Sequence, residues 1–197
     1  KALEFFKKGS EQGETKCIYT LGYLYGHNPE IGINKEESAK YYKISADKGH
    51  VKSMYNYGVL LEQGEGIKQD TSEALRWFEL AASNNHPKAF FKCGLYYLNG
   101  ISVPQDKDKA NNFFEKGAEL DDIECLTTLA AAGHLGAIYK YGILLEQGEG
   151  VKQNTFEALK HFKKAAENNH PKALFKCGFY YLNGISVKAD IQKAYEF

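Results

Sequence analysis

Four histidines, His50, His86, His134 and His170, each close a recurring segment of the chain. A series of imidazoles could hold a metal ion or switch its charge near neutral pH. A helical metal site needs two of them on one face, in the spacing His-x-x-x-His, and that spacing is missing. The expected role is a turn residue between repeated segments. The four cysteines, Cys17, Cys93, Cys125 and Cys177, form no CxxC pair, and Cys93 with Cys177 occupy one repeated position. Neither a disulfide framework nor a zinc site follows from ligands that do not converge. Buried, reduced thiols are expected, which suits a cytoplasmic setting. The stretch QGEGIK at 63–68 lacks GxxxxGK[ST], and no strand precedes it, so it is expected to be a helix-to-helix turn. Ser45-x-x-Lys48 lacks the companion motifs of the penicillin-recognising enzymes. No Ser-His-Asp set or carboxylate pair can be assembled from spacing. The expectation is no catalytic residue, no metal, no cofactor and no enzyme.

The elements that position side chains come next, and charge narrows their partners. The chain carries 25 basic and 25 acidic residues in 197. A neutral chain has no overall pull on a phosphate backbone or an anionic bilayer. No apolar run reaches the ~18 residues of a membrane span. The expected partners are a protein or a peptide, without nucleic acid and without membrane insertion.

Repetition dominates the sequence. Residues 51–113 and 135–197 align without gaps at 41 identities in 63 positions. Inside that match lies a 36-residue plan, begun at Thr15, Val51, Pro87, Leu135 and Pro171. Position 5 is aromatic: Tyr19, Tyr55, Phe91, Tyr139 and Phe175. Position 8 is Gly22, Gly58, Gly94, Gly142 or Gly178. The domain reading is a single array over 1–197, with a partial repeat at 1–14, repeats 15–50, 51–86 and 87–122, a truncated repeat at 123–134, repeat 135–170 and a partial repeat at 171–197. In the truncated repeat, 123–129 match positions 1 to 7 and 130–134 match positions 32 to 36. An interruption of 24 residues is expected between Leu129 and Ala130. The chain begins and ends inside a repeat and is expected to be a piece of a longer array.

Periodicity turns the plan into two helices per repeat. Val51, Met54, Tyr55, Gly58 and Leu61 recur at three- and four-residue spacing. Gly64 and Gly66 stop that helix, and Asp70 is an N-cap with Glu73 placed for a capping box. Ala74, Leu75, Phe78, Ala81 and Ala82 form the inner face of the second helix. First helices are expected near 51–63, 87–98, 135–147 and 171–182, and second helices near 71–84, 106–118 and 155–168. A glycine inside a helix costs about 1 kcal/mol against alanine. Five in register therefore predict close approach of one helix to another. Since one helix pair cannot bury its own apolar face, the pairs must stack.

Tyr57-Gly58, Leu61, Gly64, Gly66, Ile67, Asp70, Ala74, Trp77-Phe78, Ala81-Ala82 and His86 carry a resemblance, repeated at Tyr141-Gly142 through His170. The repeat resembles the Sel-one-like repeat, a relative of the tetratricopeptide repeat, over nearly the whole chain. The loop 26–34 and the segment 123–134 depart from it. The resemblance implies an all-α, right-handed solenoid of stacked antiparallel helix pairs, acting as an adaptor between proteins. It also implies that positions 2, 5, 9, 12 and 13 point into a concave groove. The partner-binding residues are then Tyr55, Val59, Glu62, Gln63, Phe91, Leu95, Asn99, Tyr139, Ile143, Glu146, Gln147, Phe175, Phe179 and Asn183, with Lys52, Lys88 and Lys172 at position 2. Two roles stay open for the position-5 aromatics, anchoring a partner or packing between helices. Two stay open for the chain: a scaffold that binds in its groove, or a structural spacer within a large assembly that touches partners by its ends and convex face.

Overall fold

The computed structural model describes residues 2–197. Among them are twelve α-helices, one short 3-10 turn at Pro29–Ile31, and no strand. The chain divides into two compact parts, Lys1–Phe113 and Phe114–Phe197. The first holds α1 (Ala2–Glu11), α2 (Thr15–His27), α3 (Lys35–Asp47), α4 (Val51–Gln63), α5 (Thr71–Ser83) and α6 (Pro87–Asn99). The division falls within α7 (Lys107–Glu119). The second continues with α8 (Ile123–Ala131), α9 (Leu135–Gln147), α10 (Thr155–Ala166), α11 (Pro171–Asn183) and α12 (Ile191–Tyr195). The expected helices appear within a residue or two of their predicted ends.

Neighbours in sequence are neighbours in space. In the first part α1 packs on α2, then α2 on α3, α3 on α4, α4 on α5 and α5 on α6. In the second, α8 packs on α9, α9 on α10, α10 on α11 and α11 on α12. Short connections between packed helices make antiparallel pairs. The inner face of α5 is as predicted: Ala74, Leu75, Phe78, Ala81 and Ala82 are all buried. On α4 the core includes Tyr57 and Leu60 beside the expected Met54 and Leu61.

The turn is built the same way in repeats 51–86, 87–122 and 135–170. Gly64 ends α4 in the left-handed conformation, at φ 72°, and its N–H donates to the Leu60 carbonyl. The amide of Gln69 then donates to the Glu62 carbonyl at 2.8 Å, as Gln105 does to Leu98 and Gln153 to Glu146. Asp70 caps α5, accepting from the Glu73 N–H at 2.8 Å. Only this half of the predicted capping box forms. The Asp70 N–H donates to the Leu61 carbonyl at 3.0 Å, so it is not free for the Glu73 carboxylate. Asn34, Asp106, Asn154 and Asp190 repeat that backbone bond to Tyr25, Tyr97, Leu145 and Tyr181. The departing loop 26–34 inserts its 3-10 turn and still finishes on an N-cap, Asn34.

The predicted close approach is present. A Cβ on Gly58 would stand 2.7 Å from the Phe78 ring, and one on Gly142 would stand 2.7 Å from the Phe162 ring. Gly22 meets Tyr42 in the same way at 2.8 Å. These three glycines give up helix propensity so that a large ring can lie directly on the backbone, whereas Gly178 faces the Ala194 carbonyl instead.

At 123–134 the truncated repeat forms a helix of its own. α8 runs through Leu129 and Ala130 as one nine-residue helix, capped at its start by Asp122. Positions 1 to 7 and the first two of positions 32 to 36 lie in this helix, with Cys125, Leu126, Leu129 and Ala130 buried. Joining them leaves one amphipathic helix that packs on α9.

Candidate partner-binding face

The first helices present the residues singled out by the sequence, and the structure sorts them into distinct roles. Three of the five position-5 aromatics, all tyrosines, pack inside their own repeats. Tyr55 stacks on His86 at 4.6 Å between ring centres and lies 5.8 Å from Phe78. Tyr139 does the same with His170 at 4.8 Å and Phe162 at 5.7 Å. Tyr19 pairs likewise with His50 and Tyr42. Three of the four repeat-closing histidines, His50, His86 and His170, thus pack against an aromatic one turn into the same repeat, and two of them also cap the next helix. The Nδ1 of His50 accepts from the Ser53 N–H, and that of His170 accepts from the Ala173 N–H, both at 3.3 Å. Burial, followed by the charges of Lys52 and Lys88, holds the His86 imidazole below its ordinary pKa. Phe91 is half-buried, and Phe175 is 72% exposed.

The position-12 carboxylates are tied down. Lys92 on α6 reaches Glu62 on α4, and Lys176 on α11 reaches Glu146 on α9. The Tyr180 hydroxyl also donates to Glu146, at 2.9 Å. These charges are about three-quarters covered, at 22–24% side-chain exposure, so they brace successive repeats. Sequence reasoning missed their partners. The signal was there: in both long repeats a lysine stands 30 residues after the glutamate.

The remaining positions are open to solvent. Val59, Leu95 and Ile143 are half-buried at position 9, and Phe179 is exposed. Gln63, Asn99, Gln147 and Asn183 are exposed at position 13. The Asn183 amide donates to its own helix, at the Phe179 carbonyl. Lys52, Lys88 and Lys172 are exposed as well.

Cys93, Cys125 and Cys177 are free and buried, and burial pushes their thiols up, Cys177 to about 11. Such thiols stay protonated and are poor nucleophiles. Among the described residues, no group of three or more His, Cys, Asp or Glu side chains is gathered for a metal. No described helix is long and apolar enough to cross a membrane.

Helix pairs that stack repeat by repeat, with glycines under aromatic rings, define an α-solenoid repeat protein. The Sel1 repeat signature matches residues 1–14, 15–50, 51–86, 87–122, 136–170 and 171–197, and the chain belongs to the Sel1 repeat family. A protective antigen of uropathogenic Escherichia coli with an SLR fold superposes on 99% of the chain at a TM-score of 0.65 and 25% identity. A Sel1 repeat protein from Oxalobacter formigenes superposes on 98% of it at 0.58 and 26%. Chitin synthase regulatory factor 2 of Schizosaccharomyces pombe is 41% identical over 66 residues, 33% of the chain. The chain spans 13% of that factor's length, 47% of the antigen's and 74% of the Oxalobacter protein's. Sel1 repeat proteins are generally non-catalytic scaffolds for other proteins.

Proposed function

We propose that this chain is a non-enzymatic scaffold that holds a protein partner along the face formed by its first helices. The observation that carries this reading is the contrast on α4 and α6. Their inner residues are locked, Tyr55 on His86 and Glu62 to Lys92, while Val59, Leu95, Gln63 and Asn99 keep apolar and amide groups accessible. A rigid support under accessible apolar and hydrogen-bonding groups suits recognition of a protein surface. The similarity to a chitin synthase regulatory factor is consistent with work inside a larger complex. A cytoplasmic setting, with no nucleic acid as partner, belongs to the same proposal.

The test is partner capture with two double variants. Val59→Asp with Gln63→Ala alters the first-helix face. Arg76→Ala with Leu80→Ala alters the exposed side of α5, where Leu80 is 43% exposed. We expect the first pair to lose the partner and the second to keep it. The reverse result would replace the groove with the spacer reading, in which second-helix faces make the contacts.

A further inference from the structure

Position 2 of the first helices forms a basic row in the first part of the chain. Lys16, Lys52 and Lys88 stand at the second residue of α2, α4 and α6, and all three are exposed. Other lysines nearby are in ion pairs: Lys35 with Glu65, Lys43 with Asp47, Lys92 with Glu62. Among the described residues these three form no ion pair, although the charge of Lys16 is felt at Glu14. They are close enough to act on shared neighbours. After burial, Lys52 and then Lys16 push the His50 imidazole down, against an opposing pull from Glu14, and Lys52 with Lys88 does so at His86. Glu14 is occupied in capping α2, at 2.7 Å from the Cys17 N–H.

Further along the same helices lie two other rows. Position 9 gives Val59 and Leu95, and position 13 gives Gln63 and Asn99, exposed amides without a partner in the fold. A primary amide donates and accepts at once, matching the two groups of a peptide bond. Position 2 lies seven residues from position 9, about 10 Å along the axis. An outstretched lysine and a glutamate reaching toward it close that gap. Lys92 on α6 reaches Glu62 on α4, so successive first helices are neighbours, and at a spacing of one helix diameter, ~10 Å, three residues of extended chain would span the step from one to the next.

We propose that α2, α4 and α6 bind an extended acidic peptide segment, with a carboxylate at about every third residue set against Lys16, Lys52 and Lys88. This rests on the scaffold reading and names the partner's chemistry. Carboxylates fit better than a nucleic acid. Of the position-5 rings that could stack on bases, Tyr19 is packed at a tilt against His50 and Tyr55 is stacked on His86, and the chain has no net positive charge. The Glu62 carboxylate, which would repel such a peptide, is neutralised by Lys92.

The probe is a synthetic nine-residue peptide with glutamate at every third position and leucine between, titrated beside its glutamine counterpart by fluorescence anisotropy. We expect the acidic peptide to bind about tenfold tighter or better at low salt, with the preference shrinking near ~0.5 M salt. The triple variant Lys16→Gln, Lys52→Gln, Lys88→Gln, changed only at exposed sites, should lose the preference. Equal binding of the two peptides, binding of neither, or an unchanged preference in the triple variant would overturn the proposal. So would tighter binding of an oligothymidine or of phosphatidylserine vesicles. Partner capture separates the two readings. If Val59→Asp with Gln63→Ala loses the natural partner while the triple variant keeps it, the groove stands and the acidic partner fails. If the triple variant loses the peptide while Val59→Asp with Gln63→Ala keeps the natural partner, the basic row stands and the groove fails.

Discussion

In repeat 51–86 the ring of Phe78 lies over Gly58, and in repeat 135–170 the ring of Phe162 lies over Gly142 at the same approach, 2.7 Å from where a Cβ would stand. The braces agree too, Glu62 to Lys92 and Glu146 to Lys176. The outer positions do not agree. Lys52 is replaced by Gly136, Asn56 by Lys140, and Trp77 by His161. Lys140 is drawn to the Ala118 carbonyl and Asp121, at 2.6 and 2.8 Å. Two copies with one buried seam and different edges separate what stacking requires from what each copy offers a partner. The seam is held by packing geometry, where a ring and a hydrogen atom must coincide. The edge makes different contacts in each copy, Lys140 with Asp121 in one and Trp77 with Glu73 in the other, and so differs without disturbing the seam.

The largest effect should come from breaking the shared seam. Gly142→Leu would drive a branched side chain into the Phe162 ring, which is fully buried. Overpacking of this kind costs typically ~1–3 kcal/mol. We expect the thermal melting midpoint to fall, and Gly58→Leu to lower it by a similar amount. A midpoint unchanged by Gly142→Leu would show that the ring yields and that the glycine is not required for packing.

Helices, caps and the glycine crossings were legible in the sequence because they depend on residues a few positions apart or in strict register. Asp70 and Asn154 could be named as caps from their neighbours alone. The role of Tyr55 and Tyr139 could not. Whether an aromatic at position 5 faces outward or stacks depends on His86 and His170, 31 residues later and brought back only by folding. A similar distance, 30 residues, hid the Glu146–Lys176 brace, so Glu146 read as a partner-binding residue. The missing half of the capping box has a tertiary cause as well, since the Asp70 N–H is consumed by the preceding helix.

A smaller effect should appear where one repeat carries Trp77 and the other His161. Both rings meet a tyrosine edge-on, Trp77 with Tyr57 at 5.5 Å and His161 with Tyr141 at 5.0 Å. The Nδ1 of His161 is buried without a partner. Burial lowers its pKa, Glu157 opposes, and Lys164 and Lys160 lower it further. The unfolded chain, with an imidazole near about 6.5, therefore takes up protons more readily than the folded one. Stability is present above that pH and is lost as pH falls below it. His50 and His86 act in the same direction. His161→Trp installs the sister repeat's side chain and should narrow the difference between melting midpoints at neutral and mildly acidic pH. An unchanged difference would place the pH response elsewhere.

The smallest effect concerns the edge itself, at Gly136. It is the second residue of α9, and a Cβ there would meet no heavy atom within 4 Å. No packing reason holds a glycine at that site, in contrast to Gly142 one and a half turns later. Gly136→Lys would install the residue of the sister repeat, Lys52. Replacing glycine by a good helix former gains roughly 0.5–1 kcal/mol, chiefly by restricting the unfolded chain. A cation in the first turn opposes the helix dipole and takes back about 0.3 kcal/mol. The net should be a stabilisation of roughly 0.2–0.7 kcal/mol, read from the midpoint of urea unfolding at constant slope. It should be slightly larger at high salt, where the dipole penalty is screened. A loss of stability would mean that the edge of this repeat is constrained by a contact its open surroundings do not reveal, and that the two repeats differ there for a structural reason.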